Sequence, residues 1–331
     1  MDEHLTSFLV CVCSVATDIL GSSCRFVFDS DEKPLFGGEY IIYVLESLST
    51  QQKLAIRIPR TPLNIHAPLL IEREAAFRRR IDKAALKLFQ PLLHFNSTAE
   101  NDLKTPFLAL GWVDGKPLKW SINHPPTEIE RQNVLRAVAN SCLDLLQIND
   151  TGVTALNWVQ SKIRRKIERA RRDNLPGASV AECEKQLELT QKYWIQDLDT
   201  APHVLVHGDL SNNNIIVDDS NTVRGIIDLG WAELVPLQFA ASYPRFLTHE
   251  PDEEGSFTIS GHLNDRLLRD RAFFLGCIKY RALKDDGSSI MQTFYQLLAR
   301  EDQIARHWWI TAASRIDIHH AMVRCDWNPK G

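Results

Sequence analysis

The amino-acid sequence predicts an α+β protein with a small β-rich N-terminal part and a larger α-helical C-terminal part. Near the N-terminus, short runs of β-branched and aromatic residues separated by polar or glycine-containing turns are typical of strands. These predicted strands are 25–28, 40–45 and 53–58. Further along, periodic apolar positions predict helices at 128–147, 159–172, 181–198, 263–283 and 290–318. At 331 residues, the chain is long enough for two parts that each bury a core.

The composition is that of an ordinary soluble globular protein. Hydrophobic residues make up 44% of the chain, charged residues 24%, and the formal net charge is −4, so nothing in the overall charge indicates a nucleic-acid partner. The seven cysteines are scattered without a regular framework. This pattern favours reduced thiols in a cytoplasmic protein over a disulfide scaffold.

An apolar run at residues 8–19 raises the question of targeting. The residues before it include Asp2 and Glu3 but no Lys or Arg, whereas a secretory leader begins with basic residues. The run is also too short to span a bilayer. We therefore expect a buried helix that packs on the N-terminal part, and no membrane association.

The most informative segment is 207–214, with the sequence HGDLSNNN, followed by Asp228 after a second apolar run. Strands predicted at 215–217 and 223–227 flank a turn, so a short hairpin would connect the loop to Asp228. Phosphoryl transfer from a nucleotide needs one carboxylate for the acceptor proton, and an Asn with a second Asp for Mg²⁺. The alternative, ordinary loop residues, is weakened by the spacing of all three side chains.

These motifs resemble the aminoglycoside phosphotransferase family, in particular its fungal branch. HGDxxxxN spans 207–214, the IID motif ends at Asp228, and the resemblance continues through 231–236. It implies a bilobal protein-kinase-like fold with an N-lobe at 1–110, a hinge at 111–115 and a C-lobe at 116–331. The family shares a reaction and a fold rather than one substrate, so the acceptor stays open.

The resemblance also implies roles for individual residues. The donor would be ATP or GTP with Mg²⁺, Asp209 would receive the acceptor proton, and Asn214 and Asp228 would hold the metal ion. His207 would support the loop through backbone hydrogen bonds. Ser211 would contact a phosphate or the acceptor.

Candidate donor-binding residues lie in the N-terminal part. Gly37 and Gly38 occupy the position of a glycine-rich loop over the phosphates, although a plain hairpin turn is an alternative. Arg57, on the third strand, would hold the α- and β-phosphates, with an acid on the helix predicted at 70–88 as its partner. Of the two acids there, we expect Glu74 to be this partner and Glu72 to lie on a solvated face.

The segment 105–115 predicts a strand that ends in a turn. In the resembled fold this is the hinge, and adenine would bind its backbone groups in an apolar slot. The residues concerned are Gly111, Trp112 and Val113.

Three other groups of side chains are open to more than one interpretation. The basic stretch 162–172 fits a solvated helix better than a nucleic-acid site, because helical spacing spreads its charges around the helix. The acidic stretch 250–254 fits a solvated loop, with a site for an amine-bearing acceptor as the alternative. Zinc binding is disfavoured for the set His307, His319, His320 and Cys325, because adjacent histidines face different ways and no CxxC is present.

The expected function is that of a small-molecule kinase, with an acceptor of unknown identity. One alternative is a kinase-like scaffold that binds nucleotide and has lost transfer. A protein Ser/Thr kinase is disfavoured, because the chain lacks the HRD form of the loop and an APE-like segment. We expect a cytoplasmic monomer or weak dimer without a nucleic-acid or membrane partner.

Overall fold

The computed structural model describes residues 3–27, 34–60, 66–258, 261–284 and 288–329. The chain divides into two compact units. Unit 1 comprises Met1–Pro117, Asn214–Asp219 and Val223–Ala232. Unit 2 comprises Leu118–Asn213, Ser220–Thr222 and Glu233–Gly331.

The regular elements are numbered along the chain. The strands are β1 (Cys24–Phe26), β2 (Leu35–Phe36), β3 (Tyr40–Ser47), β4 (Lys53–Pro59), β5 (Leu92–Asn96), β6 (Phe107–Gly111), β7 (Lys116–Pro117), β8 (Asn149–Asp150), β9 (His203–Val206), β10 (Ile215–Val217), β11 (Val223–Ile226) and β12 (Glu233–Pro236). The helices are α1 (Glu3–Leu20), α2 (Ala67–Lys83), α3 (Glu128–Leu145), α4 (Ala155–Arg171), α5 (Val180–Glu188), α6 (Thr190–Tyr193), α7 (Leu237–Ala240), α8 (Gly261–Ala282), α9 (Ser289–Leu298), α10 (Gln303–Thr311) and α11 (Ile316–Arg324).

Unit 1 contains a six-stranded antiparallel sheet with the order β1-β3-β4-β6-β5, in which β2 also pairs with β3. Successive side chains of a strand point to opposite faces, so β6 contributes to two cores. Phe107 and Ala109 belong to the core that α1 covers, and Leu108 and Leu110 belong to the core under α2. The apolar run at 8–19 therefore lies in a helix that packs on the sheet, as predicted, but only one face of it is buried and Val10 is exposed.

A second, three-stranded sheet in unit 1 carries the hairpin predicted at 215–227. β10 pairs antiparallel with β11 on one side and with β7 on the other. A Cβ on Gly115 would lie 2.5 Å from the carbonyl oxygen of Val217, and Gly115 has a φ of +140°. Only glycine fits this close approach. The Ile226 N–H also donates to the Leu88 carbonyl at 2.6 Å, which connects β11 to the segment that follows α2 within unit 1.

Unit 2 is mainly helical and carries a three-stranded sheet with the order β12-β9-β8. Capping boxes begin α3, through Thr127 and Glu130, and α5, through Ser179 and Glu182. Trp308 and Trp309 are fully buried in the core, so packing explains this aromatic pair.

Two of the predicted helices are interrupted. The segment predicted as a helix at 181–198 forms α5, α6 and a short 3-10 turn, and the extended backbone of Trp194 separates the last two. The segment 290–318 forms parts of three helices, and Arg315 is extended between the last two. No helix in the described part of the chain combines the length and apolar character needed to cross a membrane.

Candidate functional site

The loop that carries Asp209 follows β9 in unit 2. Gly208 has a φ of +81°, a left-handed conformation that favours glycine. The buried ring of His207 accepts a hydrogen bond at Nδ1 from the Asp209 N–H at 3.4 Å. The Ser211 N–H donates to the Asp209 carbonyl at 2.9 Å. These contacts shape the turn locally around the carboxylate.

Asn214 and Asp228 lie at the same end of the β10–β11 hairpin in unit 1. The Ile227 N–H donates to the Asn214 carbonyl at 2.9 Å, one position before Asp228. Asp228 has a φ of +62°, which is uncommon for a residue with a side chain. Such backbone conformations cost about 1–3 kcal/mol and concentrate at functional sites. Seven other described non-glycine residues also have positive φ, so Asp228 is distinguished by this conformation together with its contact to Arg57.

Arg57 and Glu74 form a buried ion pair in unit 1. The Arg57 Nη1 donates to Glu74 Oε1 at 2.9 Å, and its Nη2 donates to Asp228 Oδ1 at 3.4 Å. The guanidinium also lies 4.2 Å from the ring centroid of Tyr40, a cation–π contact. Glu72 is exposed and accepts a hydrogen bond from Ser97 instead. The structure thus brings Arg57, Glu74 and Asp228 together.

A second arginine, which the sequence analysis missed, completes this cluster. Arg78 is fully buried and donates to Glu74 Oε1 through Nε at 2.9 Å and Nη2 at 2.7 Å. Its Nη1 donates to the Gln90 carbonyl at 2.6 Å, and the Gln90 amide donates to the Gly111 carbonyl at 2.9 Å. The spacing of four residues from Glu74 on one helix was the available signal.

Within this cluster the ionised forms of Glu74 and Arg57 are stabilised, whereas burial lowers the pKa of Arg78 below its ordinary value. Burial alone would raise the pKa of Glu74, but Arg57 and Arg78 hold it below its ordinary value. Burial alone would lower the pKa of Arg57, yet Glu74 and Asp228 raise it above its ordinary value. Three hydrogen bonds reach Glu74 Oε1, whereas its buried Oε2 has no partner among the described residues.

The predicted phosphate loop forms a tight turn between β2 and β3. The Gly37 N–H donates to the Tyr40 carbonyl at 2.9 Å, and Arg60 donates to the carbonyls of Gly37 and Gly38 at 3.3 and 3.5 Å. A Cβ on Gly38 would meet no described atom within 4 Å. The fold therefore leaves open space above this glycine.

The predicted hinge residues follow β6. The Gly111 N–H donates to the Pro91 carbonyl at 3.0 Å, and the Trp112 N–H donates to the Lys53 carbonyl at 3.1 Å. The fold thus already uses the N–H groups of Gly111 and Trp112. The Val113 side chain packs on Gly225, where a Cβ would lie 2.8 Å from Val113 Cγ1.

In unit 2, the sequence analysis also missed a run of ion pairs that begins at Asp209. Arg245 Nη1 donates to Asp209 Oδ1 at 3.3 Å, and Arg245 Nε donates to Glu250 Oε1 at 2.5 Å. Arg315 Nη1 donates to Glu250 Oε1 at 3.2 Å, and Arg315 Nη2 donates to Asp317 Oδ2 at 2.5 Å. We call these five residues the charge chain. Within it, Glu250 has two arginine partners.

The basic helix α4 is not uniformly solvated. Lys166 is buried, and its Nζ contacts the Ala312 carbonyl at 2.7 Å, Gln186 Oε1 at 3.1 Å and His319 Nδ1 at 2.5 Å. Burial lowers the pKa of Lys166 to about 8. The expectation of a solvated helix is therefore wrong for Lys166, which lies on the apolar face with Ile163 and Ile167.

The oxygen atoms of Asn214 and Asp228 suit a hard cation such as Mg²⁺, which binds carboxylate and amide oxygens and takes further ligands from phosphates and water. The described ranges contain no group of three or more His, Cys, Asp or Glu side chains that could hold a metal ion alone.

Comparisons with known proteins indicate a family and a fold. Residues 43–239, more than half of the chain, match the model of the phosphotransferase enzyme family. No curated protein matches the sequence significantly. The ternary complex of streptomycin, ATP and APH(2″)-IIa has 13% identity and a TM-score of 0.57, with 99% of this chain and 97% of the other covered.

The ADP-bound aminoglycoside phosphotransferase APH(2″)-Ib gives a TM-score of 0.55 at 13% identity, with 97% of each chain covered. At such low identity, these similarities establish the fold, which is the predicted mixture of a β-rich N-terminal region and a helical C-terminal region.

Proposed function

Because the chain belongs to the phosphotransferase enzyme family, we propose that it transfers the γ-phosphoryl group of ATP or GTP to a hydroxyl of a small molecule. The observation that carries this proposal is the position of Asp228. Its left-handed backbone sets the carboxylate beside the buried Arg57–Glu74 pair and at the same hairpin end as Asn214. A strained aspartate held by a buried arginine is what a fixed phosphate and metal site requires.

Unit 1 would bind the donor. Arg57 would contact the α- and β-phosphates, and Glu74 and the Tyr40 ring restrict its guanidinium to one orientation. The open space above Gly38 supports a phosphate-covering role for the Gly37–Gly38 turn. Adenine would bind along residues 111–113. There the Val113 backbone is the better candidate, because Gly111 and Trp112 already use their N–H groups within the fold.

Asn214 and Asp228 would hold Mg²⁺. When bound, this ion would offset the charge on the β- and γ-phosphate oxygens. Asp228 stays oriented for this role by the Gly230 N–H and by Arg57, both 3.4 Å from its Oδ1. The conformation of the carboxylate is thus set by the protein before any ligand arrives.

Asp209 would orient the acceptor hydroxyl and receive its proton. Because the transition state of phosphoryl transfer is loose, this proton moves late and positioning is the main contribution. His207 supports the Asp209 backbone at 3.4 Å. Ser211 would contact the acceptor or a phosphate.

The test is Mg²⁺-dependent nucleotide consumption across a panel of hydroxylated amines and sugars, with Asp209→Ala as the blank. We expect at least one acceptor to stimulate turnover, and Asp209→Ala to lower that turnover by at least about 100-fold. Unchanged turnover in the variant would show that Asp209 is not the base. Nucleotide binding without turnover on any acceptor would favour the scaffold alternative.

A further inference from the structure

An aromatic pair lies beside the Asp209 loop in unit 2. The backbone N–H of Arg245 donates to the Leu210 carbonyl at 3.0 Å, and the Asn212 amide donates to the Leu118 carbonyl at 3.0 Å. These bonds attach two segments to the loop. Trp120 lies two residues after Leu118 in the first segment, and Phe246 directly follows Arg245 in the second.

Trp120 and Phe246 contact each other edge to face, with ring centroids 4.9 Å apart and an interplanar angle of 71°. Both side chains are only partly buried. Edge-to-face pairs of this kind are favourable beyond the area that they bury. A partly exposed aromatic pair on segments that are hydrogen-bonded to the Asp209 loop can form an apolar wall for a ligand.

A buried arginine fixes this wall in place. The Arg131 guanidinium lies 3.8 Å from the ring centroid of Trp120. It forms a bidentate ion pair with Asp270, at 2.7 and 2.5 Å, and it donates hydrogen bonds to the carbonyls of Ser121 and His124. Trp120 is therefore held before any ligand binds, which lowers the entropic cost of binding.

The three acids of the charge chain are already paired with arginines. Asp209, Glu250 and Asp317 each have an arginine partner in the charge chain. Burial would raise the pKa of Glu250, but Arg245 and Arg315 hold it below its ordinary value. The carboxylates of the charge chain therefore attract a substrate with several amines less than unpaired carboxylates would.

We propose that the acceptor is a neutral or acidic alcohol that carries a ring, and that Trp120 and Phe246 bind the face of that ring. This inference rests on the proposed function, because it needs Asp209 at the acceptor hydroxyl. It distinguishes the acceptor from the polyamine sugars, whose ammonium groups would compete with Arg245 and Arg315 for the carboxylates of the charge chain. Trp120 and Phe246 are thus specificity-determining residues for the reaction.

The experiment compares phenyl β-glucoside and its carboxylated analogue with kanamycin, a polyamine sugar, as acceptors for Mg²⁺-ATP. The phosphorylated product is detected by mass spectrometry. We expect kcat/KM for the glucosides to exceed that for kanamycin by at least about tenfold. Trp120→Ala and Phe246→Ala should raise the glucoside KM by about 5- to 10-fold, on the scale of aromatic stacking. The KM for ATP should not change, and Trp120→Phe should restore most of the acceptor affinity.

Trp158→Ala is the matched control, because this partly buried tryptophan stacks on Phe239 instead. It should leave the glucoside KM unchanged. Preferred phosphorylation of kanamycin, or an unchanged glucoside KM in Trp120→Ala, overturns the inference while the proposed function stands. If no acceptor yields product, the proposed function fails, and the inference fails with it.

Discussion

Asp228 and Asp209 each accept a hydrogen bond from an arginine, at 3.4 and 3.3 Å, but the two arginines differ in their surroundings. The Arg57 side chain is 7% exposed, and its partner Glu74 is 1% exposed. The Arg245 side chain is 45% exposed, and its partner Glu250 is 32% exposed. Both aspartates are partly exposed, but the arginine beside Asp228 belongs to a buried cluster in unit 1, and the arginine beside Asp209 belongs to a partly solvated charge chain in unit 2.

Burial changes what each contact contributes. Removing one partner of a buried ion pair leaves an uncompensated charge in a medium of low dielectric constant, whereas an exposed pair gains little because water screens it. The Arg57–Glu74–Arg78 cluster therefore belongs to the stability of unit 1 as well as to its site. The charge chain can rearrange around Asp209 at little cost in stability.

The largest expected effect on stability is that of Glu74→Gln. This change leaves Arg57 and Arg78 buried without their shared carboxylate, so the free energy of unfolding should fall by about 3 kcal/mol. Chemical denaturation measures it as a lower midpoint with an unchanged slope. Glu72→Gln, on the exposed face of the same helix, is the control and should change stability by less than about 0.5 kcal/mol. An equal loss of unfolding free energy in both variants would show that the buried ion pairs of Glu74 do not stabilise the protein more than the exposed contact of Glu72.

An acid titration should measure the contribution of ionised Glu74 to stability separately. The pKa of Glu74 lies below its ordinary value in the folded protein, so its stabilising contribution is complete above about pH 4.5 and is lost as the pH falls through the folded pKa. In that window the unfolding free energy of the wild type should fall by up to about 1.4 kcal/mol per pH unit through this one group. Glu74→Gln should show a shallower slope, and identical slopes would contradict the assignment.

The smallest effect on stability is expected for Arg245→Ala. The pair is exposed, so the unfolding free energy should change by less than about 1 kcal/mol, and by less still at high salt. Thermal unfolding at low and high ionic strength measures this change. A loss as large as that of Glu74→Gln would show that the charge chain is structural, and would break the comparison between the two units.

The local elements of this fold were predictable because their signals lie in neighbouring residues. Short runs of β-branched, aromatic and other apolar residues at 40–45 and 53–58 predicted β3 and β4, and the turn residues between 217 and 223 predicted the β10–β11 hairpin. Interruptions within long apolar runs were harder to predict. The periodicity of 181–198 and 290–318 predicts continuous helices, but the backbone is extended at Trp194 and at Arg315, which interrupts them.

The site residues that were not predicted from the sequence also fall into a local group and a long-range group. Arg78 lies four residues after Glu74, and Lys166 lies three residues after Ile163, so helical spacing could have placed both on inward faces. Arg245 is 36 residues from Asp209, and no local pattern relates them. Their contact depends on the path of the chain through unit 2, which only the tertiary structure gives.

The most direct test of the central claim, that the two aspartates have separate roles, is calorimetric titration of Mg²⁺-ATP into the wild type, Asp209→Ala and Asp228→Ala. If Asp228 holds the metal ion with the nucleotide and Asp209 acts only on the acceptor, Asp209→Ala should bind with an affinity within about threefold of the wild type. Asp228→Ala should lose Mg²⁺-dependent binding, by at least about 100-fold in Kd. Unaltered affinity in Asp228→Ala, or an equal loss in both variants, would contradict the account.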